Sequence, residues 1–209
     1  PRFIDTLIGC ALAWFGVSFI WPDWKFRRLP RSIQRSLQAQ CKYLAEVVEQ
    51  YHQGRNNALN YRVVRRAAHN TDAEVASLIS TLATEPNIES TQKTLAFEFL
   101  CLSHTFLSYI AALGAHREQI QDQEVLTLLD QALDDIQGAL LRDEVPDLSA
   151  QNMMQTIREH LNRKEENNQK SLIILQQLSL MLSILTRLSM LKQSLSHEPN
   201  EDGTEFASL

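Results

Sequence analysis

The sequence predicts an all-α protein: one transmembrane helix followed by a cytoplasmic bundle of about five or six helices. Three observations carry this expectation. Phe3 to Trp21 (FIDTLIGCALAWFGVSFIW) is nearly all apolar and about as long as a bilayer core is thick. Lys25, Arg27, Arg28, Arg31 and Arg35 follow at once against the single acid Asp23, and basic residues beside a span mark its cytoplasmic side. Beyond Pro30, glycine and proline are scarce, and apolar residues recur at spacings of three and four, the period of amphipathic helices.

The opening stretch carries one charge, Asp5; Trp21 and Trp24 fall where interfacial aromatics collect, and Pro22 ends the helix. A secretory signal peptide would place basic residues before the apolar run and a small-residue cleavage site after it; here the order is reversed and Trp-Pro-Asp-Trp occupies that place. The rival is a buried core helix, since Gly9, Cys10, Ala11, Ala13, Gly16 and Ser18 make the segment only moderately hydrophobic. Gly9, Ala13 and Gly16 would equally suit close packing against neighbouring membrane helices. The expected organisation is a span over 1–21, a bundle over 22–195 and a disordered, acidic tail over 196–209.

Within the bundle, Ile33, Leu37, Cys41, Leu44, Val48 and Tyr51 form one face of a helix that Gly54 ends. The next carries Tyr61, Val64, Ala68, Val75, Leu78 and Leu82 and stops at Glu85-Pro86. Ser90 is placed to cap a third with Leu95, Phe99, Leu102, Phe106, Tyr109 and Leu113. After a polar passage from Ala115 to Gln123, a fourth bears Val125, Leu129, Leu133, Ile136 and Leu140, exposes Asp130, Asp134 and Asp135, and ends at Glu144-Val145-Pro146. Ser149 can cap a shorter fifth through Met153, Ile157 and Leu161, and Asn162 to Lys170 reads as a loop. The last, Ser171 to Ser194, is apolar on every side and must be surrounded, by the bundle or by a second copy of the chain. A second span is the alternative, weakened by Gln176, Gln177, Arg187 and several serines. Period-two alternation does not recur, which excludes a strand reading, and no internal repeat is present.

The 209 residues, 44% hydrophobic, allow a real core, and a net charge of -5 offers nucleic acid no general attraction. Cys10, Cys41 and Cys101 lack the paired spacing of a disulfide scaffold or a zinc site and fit a reducing compartment. The start at Pro1 is expected of the C-terminal part of a longer protein.

The most unusual text is Tyr61 to Asp72, YRVVRRAAHNTD. On a helix Arg62, Arg66 and Asn70 form one row and Arg65, His69 and Asp72 its neighbour, a basic polar seam. One account is an interhelical salt-bridge network with Asp134, Asp135 or Glu98; the other is an anion-recognising or coupling surface, for which guanidinium groups suit carboxylate or phosphate. The histidines show no metal-ligand pairing, and His104, among aromatic residues, reads as a core histidine bonded to backbone. No nucleophile elbow, phosphate loop or paired-carboxylate motif is present, so neither an enzyme nor a cofactor or metal is expected. Arg2 and Asp5, three residues apart at the start of the span, can pair as an end-of-helix anchor.

The segments RFIDTLIGCALAW, FIWPDWKFRRLP and YRVVRRAAHNTDAEVA resemble the C-terminal portion of bacterial inner-membrane proteins of the fusaric-acid-resistance-like (FUSC) family, in its YccS/YhfK-type subgroup, over most of the chain to about Pro86. The resemblance implies two membrane-helix bundles, each followed by a soluble helical region, in a Gram-negative inner membrane. It places Arg2, Asp5, Thr6 and Gly9 in a motif of the last membrane helix, and Arg62, Arg65, Arg66, His69, Asn70 and Asp72 in a cytoplasmic one. Relatives that export aromatic carboxylic acids make efflux of a small organic acid the expected function, with the bundle coupling to the membrane part; a homo-oligomer is expected separately, because Ser171 to Ser194 carries more apolar surface than one small bundle readily covers. The alternative is a membrane-tethered interaction module without transport.

Overall fold

The apolar spacings of the sequence become helices in the computed structural model, which describes residues 2–15, 28–55, 58–85, 88–116, 118–144, 152–159 and 169–196. They are α1 (Arg2–Phe15), α2 (Leu29–Gln53), α3 (Ala58–Ala83), α4 (Ser90–Ala115), α5 (Gln123–Leu141), α6 (152–159) and α7 (Gln169–Ser196). No strand occurs among the described residues.

The expected face of α2 is buried in full, and the helix ends at Gly54, whose left-handed backbone (φ 82°) lets its N–H reach the Gln50 carbonyl at 2.9 Å. In α3 the buried stripe runs Tyr61, Ala68, Asp72, Val75, Ile79 and Leu82, and Lys93 donates to the carbonyls of Ala83 and Glu85 beyond its last turn. One cap differs from expectation. Ser90 is the first residue of α4 rather than its cap, because Glu89 takes that place without a side-chain bond. The cap of α5 is Asp122, whose carboxylate accepts from the Val125 N–H at 3.4 Å. Met153 and Ile157 of α6 are buried, whereas Ser149, Leu161 and the end at Val145-Pro146 lie outside the described residues. Gln169 and Lys170, expected in a loop, open α7, and 16–27, 162–168 and the tail 197–209 also lie outside the description.

The core is built around α2, which packs against α3, α4, α5 and α7, while α4 and α5 close over α7. Cross-helix bonds give the directions. Tyr43 and Tyr61 meet hydroxyl to hydroxyl at 3.0 Å and Gln40 reaches Asp72, so α3 returns antiparallel to α2. The Tyr51 hydroxyl donates to the Leu113 carbonyl at 2.7 Å and the Ile120 N–H to the Tyr51 carbonyl at 3.0 Å, gathering the ends of α2 and α4 with the start of α5. Ser171 reaches Asp122 at 3.4 Å and Lys192 the Leu140 carbonyl at 2.9 Å, so α5 and α7 run in the same direction. Helices meet closely where Gly114 sits: a Cβ there would lie 2.7 Å from the Tyr61 hydroxyl.

The structure changes the set of membrane candidates. One was expected, but among the described residues two helices, α4 and α7, are long and apolar enough to cross a bilayer. The described part of α1 has 14 residues, fewer than a span needs, and residues 16–21 lie outside the described residues. How each helix uses its apolar residues separates them. In α7, Ile174, Leu175, Leu178, Met181, Leu182 and Leu185 are buried, so the bundle itself covers most of its apolar surface. In α1 every described side chain from Phe3 to Phe15 is exposed, Phe3 at 79% and Trp14 at 70%, and the helix takes no part in the main helix packing.

Burial has a chemical consequence at Cys41. Loss of water around it pushes the thiol up to about 12, against a smaller opposite pull from the Lys192 ammonium. A thiol raised in this way stabilises the fold while protonated, and that contribution is lost as pH rises from the ordinary thiol value of 9.0 toward 12. Below that window far less of it is thiolate than of an ordinary cysteine. Iodoacetamide at pH 8 should therefore modify the exposed Cys101 and spare Cys41 until denaturant is added, as peptide mass mapping would record.

Candidate functional site

Helix α3 divides the predicted polar seam between two faces. Arg62, Arg65, Arg66, His69 and Asn70 are exposed, whereas Asp72 is buried at 5%. The reason lies in register: Asp72 falls four residues after Ala68 and three before Val75, on the stripe that faces the core.

The outward face forms a groove of about 480 Å³ in which Arg62, Arg66 and Asn70 stand beside Leu59 and Val63, themselves 68% and 57% exposed. Arg65, Arg66, His69 and Asn70 make no hydrogen bond or ion pair among the described residues. Two of the three acids expected to pair with the seam are engaged elsewhere. Glu98 takes Arg187 in a two-pronged contact at 2.6 Å, and Asp134 takes Arg142 at 3.0 Å. The salt-bridge account of the seam is thus not realised at these acids. What remains is an exposed row of guanidinium groups flanked by apolar side chains, chemistry that suits an organic carboxylate or an acidic peptide. Replacing Arg66 by glutamine should leave stability within about 0.5 kcal/mol, the range of an unpaired surface position, in thermal unfolding followed by circular dichroism.

The inward face holds a network that the sequence did not disclose. Gln40 Nε2 donates to Ser103 Oγ at 2.9 Å and lies 3.2 Å from Ser36 Oγ; Ser103 Oγ donates to Asp72 Oδ1 at 3.1 Å. His104 Nδ1 stands 2.9 Å from Asp72 Oδ2. The expectation for His104 is corrected here, since its side chain is 69% exposed and meets Asp72 rather than backbone. Gln40, Ser36 and Ser103 are fully buried, and Gln40 Oε1 has no partner among the described residues. Ser103 and His104 both bond Asp72 and not one another, and Ser103 is inaccessible, so the three form a structural tie between α2, α3 and α4 and not a nucleophile with its base. In the sequence Asp72, Gln40 and Ser103 each fall within an apolar stripe, a position that implies burial without naming the partner.

In α1, Asp5 and Thr6 are exposed and a Cβ on Gly9 would meet nothing within 4 Å. The side chain of Arg2 lies outside the description, and with it the expected pair to Asp5. Among the described residues no group of three or more His, Cys, Asp or Glu is arranged to hold a metal ion.

A third polar cluster lies at the opposite end of the bundle from Gly114. Lys192 is buried at 7%, donates to the Leu140 carbonyl and sits 2.6 Å from Asp143, whose backbone is left-handed (φ 57°) just past α5. It closes the C-terminal turn of α5, where a cation is favoured.

Among known proteins, the chain is 44% identical over 202 residues to the inner membrane protein YccS of Escherichia coli (strain K12), a match that covers 96% of the chain and 28% of that protein. It is 37% identical over 122 residues, 58% of the chain, to an uncharacterized protein of Haemophilus influenzae, and 38% identical over 86 residues, 41% of the chain, to the uncharacterized protein ORF2 of Neisseria gonorrhoeae. The chain spans less than a third of the length of each: 28%, 17% and 21%. The YccS-type likeness read from the opening span and the arginine-rich helix is carried by the first match, which continues well past Pro86. No family model matches, the FUSC family's included, and no solved structure matches.

Proposed function

We propose that this chain is the last span and the cytoplasmic helical domain of an inner-membrane, efflux-type transporter of small organic acids, aromatic ones included. The observation that carries the proposal is α1: a helix with apolar side chains exposed on every side, followed in sequence by five basic residues, in a chain similar to an inner membrane protein. In water such a surface would be costly, and lipid removes the cost. On this reading α4 and α7 belong to the bundle, because their apolar residues already meet partners there. The bundle serves self-association and coupling to the membrane part, and the exposed seam of α3 is the coupling surface. Because α7 is largely covered within one chain, the self-association expected of it falls instead to α1 and to Leu59 and Val63.

Accumulation of a panel of aromatic acids in cells with and without the full-length protein tests this. Higher retention without the protein is expected, and equal retention across the panel would count decisively against efflux. The second reading, a membrane-tethered interaction module, is favoured by Arg65 and Arg66, which stand exposed without a partner among the described residues. It would be preferred if the full-length protein copurified in fixed stoichiometry with a foreign protein and released it on Arg66→Glu substitution.

A further inference from the structure

A cavity of about 630 Å³ opens at the end of the bundle where α2 begins and α7 finishes. Arg31, Gln34, Lys192, Gln193 and Asp143 line it. Three features give it positive character. Arg31 makes no ion pair among the described residues. Lys192 is buried, and its ammonium has three hydrogens for the two acceptors it meets, the Leu140 carbonyl and Asp143. The first turn of α2 is uncapped: Arg28 stands at the cap position with no side-chain bond, and the turn contains no acid. Pro30, at the start of this turn and on the lining, has no N–H to offer, so what the turn brings to this region is the positive end of its dipole, with no acid on the turn itself. The one carboxylate on the lining, Asp143, has a side chain 58% exposed and can turn to water when a stronger anion arrives.

We propose that this cavity binds a phosphate group, held by Arg31 and Lys192, with Gln34 and Gln193 as neutral donors. A phosphate supplies several acceptor oxygens to a guanidinium, an ammonium and side-chain amides at once, which a chloride or a single carboxylate does not. The group has two sources, a free phosphate or the headgroup of an anionic lipid. The second is open because the cavity lies at the end of the bundle that the chain enters from α1. The site does not depend on the transport reading.

The test uses the whole chain in detergent micelles. Arg31→Gln is the main variant and Lys192→Met the second. Arg35→Gln is the charge-matched control, because Arg35 contacts Glu74 (3.6 Å) and is not on the lining. Calorimetric titration with inorganic phosphate and native mass spectrometry of retained phosphatidylglycerol against phosphatidylcholine are read side by side. Saturable phosphate binding that Arg31→Gln weakens about tenfold and Arg35→Gln leaves intact supports the site with free phosphate as ligand. The same pattern in phosphatidylglycerol retention alone supports it with a lipid headgroup. Equal behaviour of Arg31→Gln and Arg35→Gln with both ligands overturns the proposal. Arg31 is exposed, so its variant folds like the parent, and the comparison with Arg35→Gln stands even where Lys192→Met fails to fold.

Discussion

Replacing Asp72 by alanine is expected to destabilise the bundle by about 3 kcal/mol, since the buried Ser103 hydroxyl and the Gln40 amide lose the acceptor they share and neither can reach water. For a chain of this size that is a fall of roughly 6–12 °C in melting temperature, readable by circular dichroism in a mild detergent. Asn in the same place keeps an oxygen for Ser103, and the solvent-facing His104 can change tautomer to meet the new amide, so Asp72→Asn should cost only about 1 kcal/mol. The interaction of Asp72→Ala with Ser103→Ala should be strongly non-additive, because once the hydroxyl is gone less remains to be left unpaired. Unchanged melting of Asp72→Ala would mean that the tie between α2, α3 and α4 does not form.

The second large effect is steric and concerns one helix with two aromatic faces. Phe106 of α4 is fully buried, and truncation to alanine is expected to cost about 4 kcal/mol through lost apolar burial and the cavity left behind. Phe97, 62% exposed on the same helix, should tolerate alanine within about 0.5 kcal/mol. The pair also decides what α4 is for. A helix seated in the bundle gives this asymmetry under detergent, whereas one that crossed a bilayer would lose it, since Phe97 would then sit in lipid or against another span.

Much of the fold was legible before the structure. The stripe Ile33, Leu37, Cys41, Leu44, Val48 and Tyr51 is buried residue for residue, and Gly54 ends its helix as expected, because one apolar face must be hidden and the spacing names it. What the spacing could not name were polar residues within the stripes. Asp72 reads as part of a charged row when its neighbours Arg65 and His69 are taken together, yet its register with Ala68 and Val75 puts it inside. Lys192 was hidden in the same way by the apolar run of α7, since its role depends on the end of α5, 52 residues away. The exposed arginines of α3 were recognised as unusual, but whether they would find acids depended on which helices became neighbours, and the expected acids Glu98 and Asp134 had nearer arginines. Hydropathy alone does not sort the membrane candidates, because it counts apolar residues without asking what touches them: α7 meets the length test and hides most of its side chains in protein, whereas α1 leaves them bare.

The position of α2 carries a mechanical consequence. It is the helix that the chain enters after α1, and it is also the one that four others grip. Sliding α2 past any one neighbour would disturb its contacts with the other three, so within the bundle it is the helix least free to shift by itself.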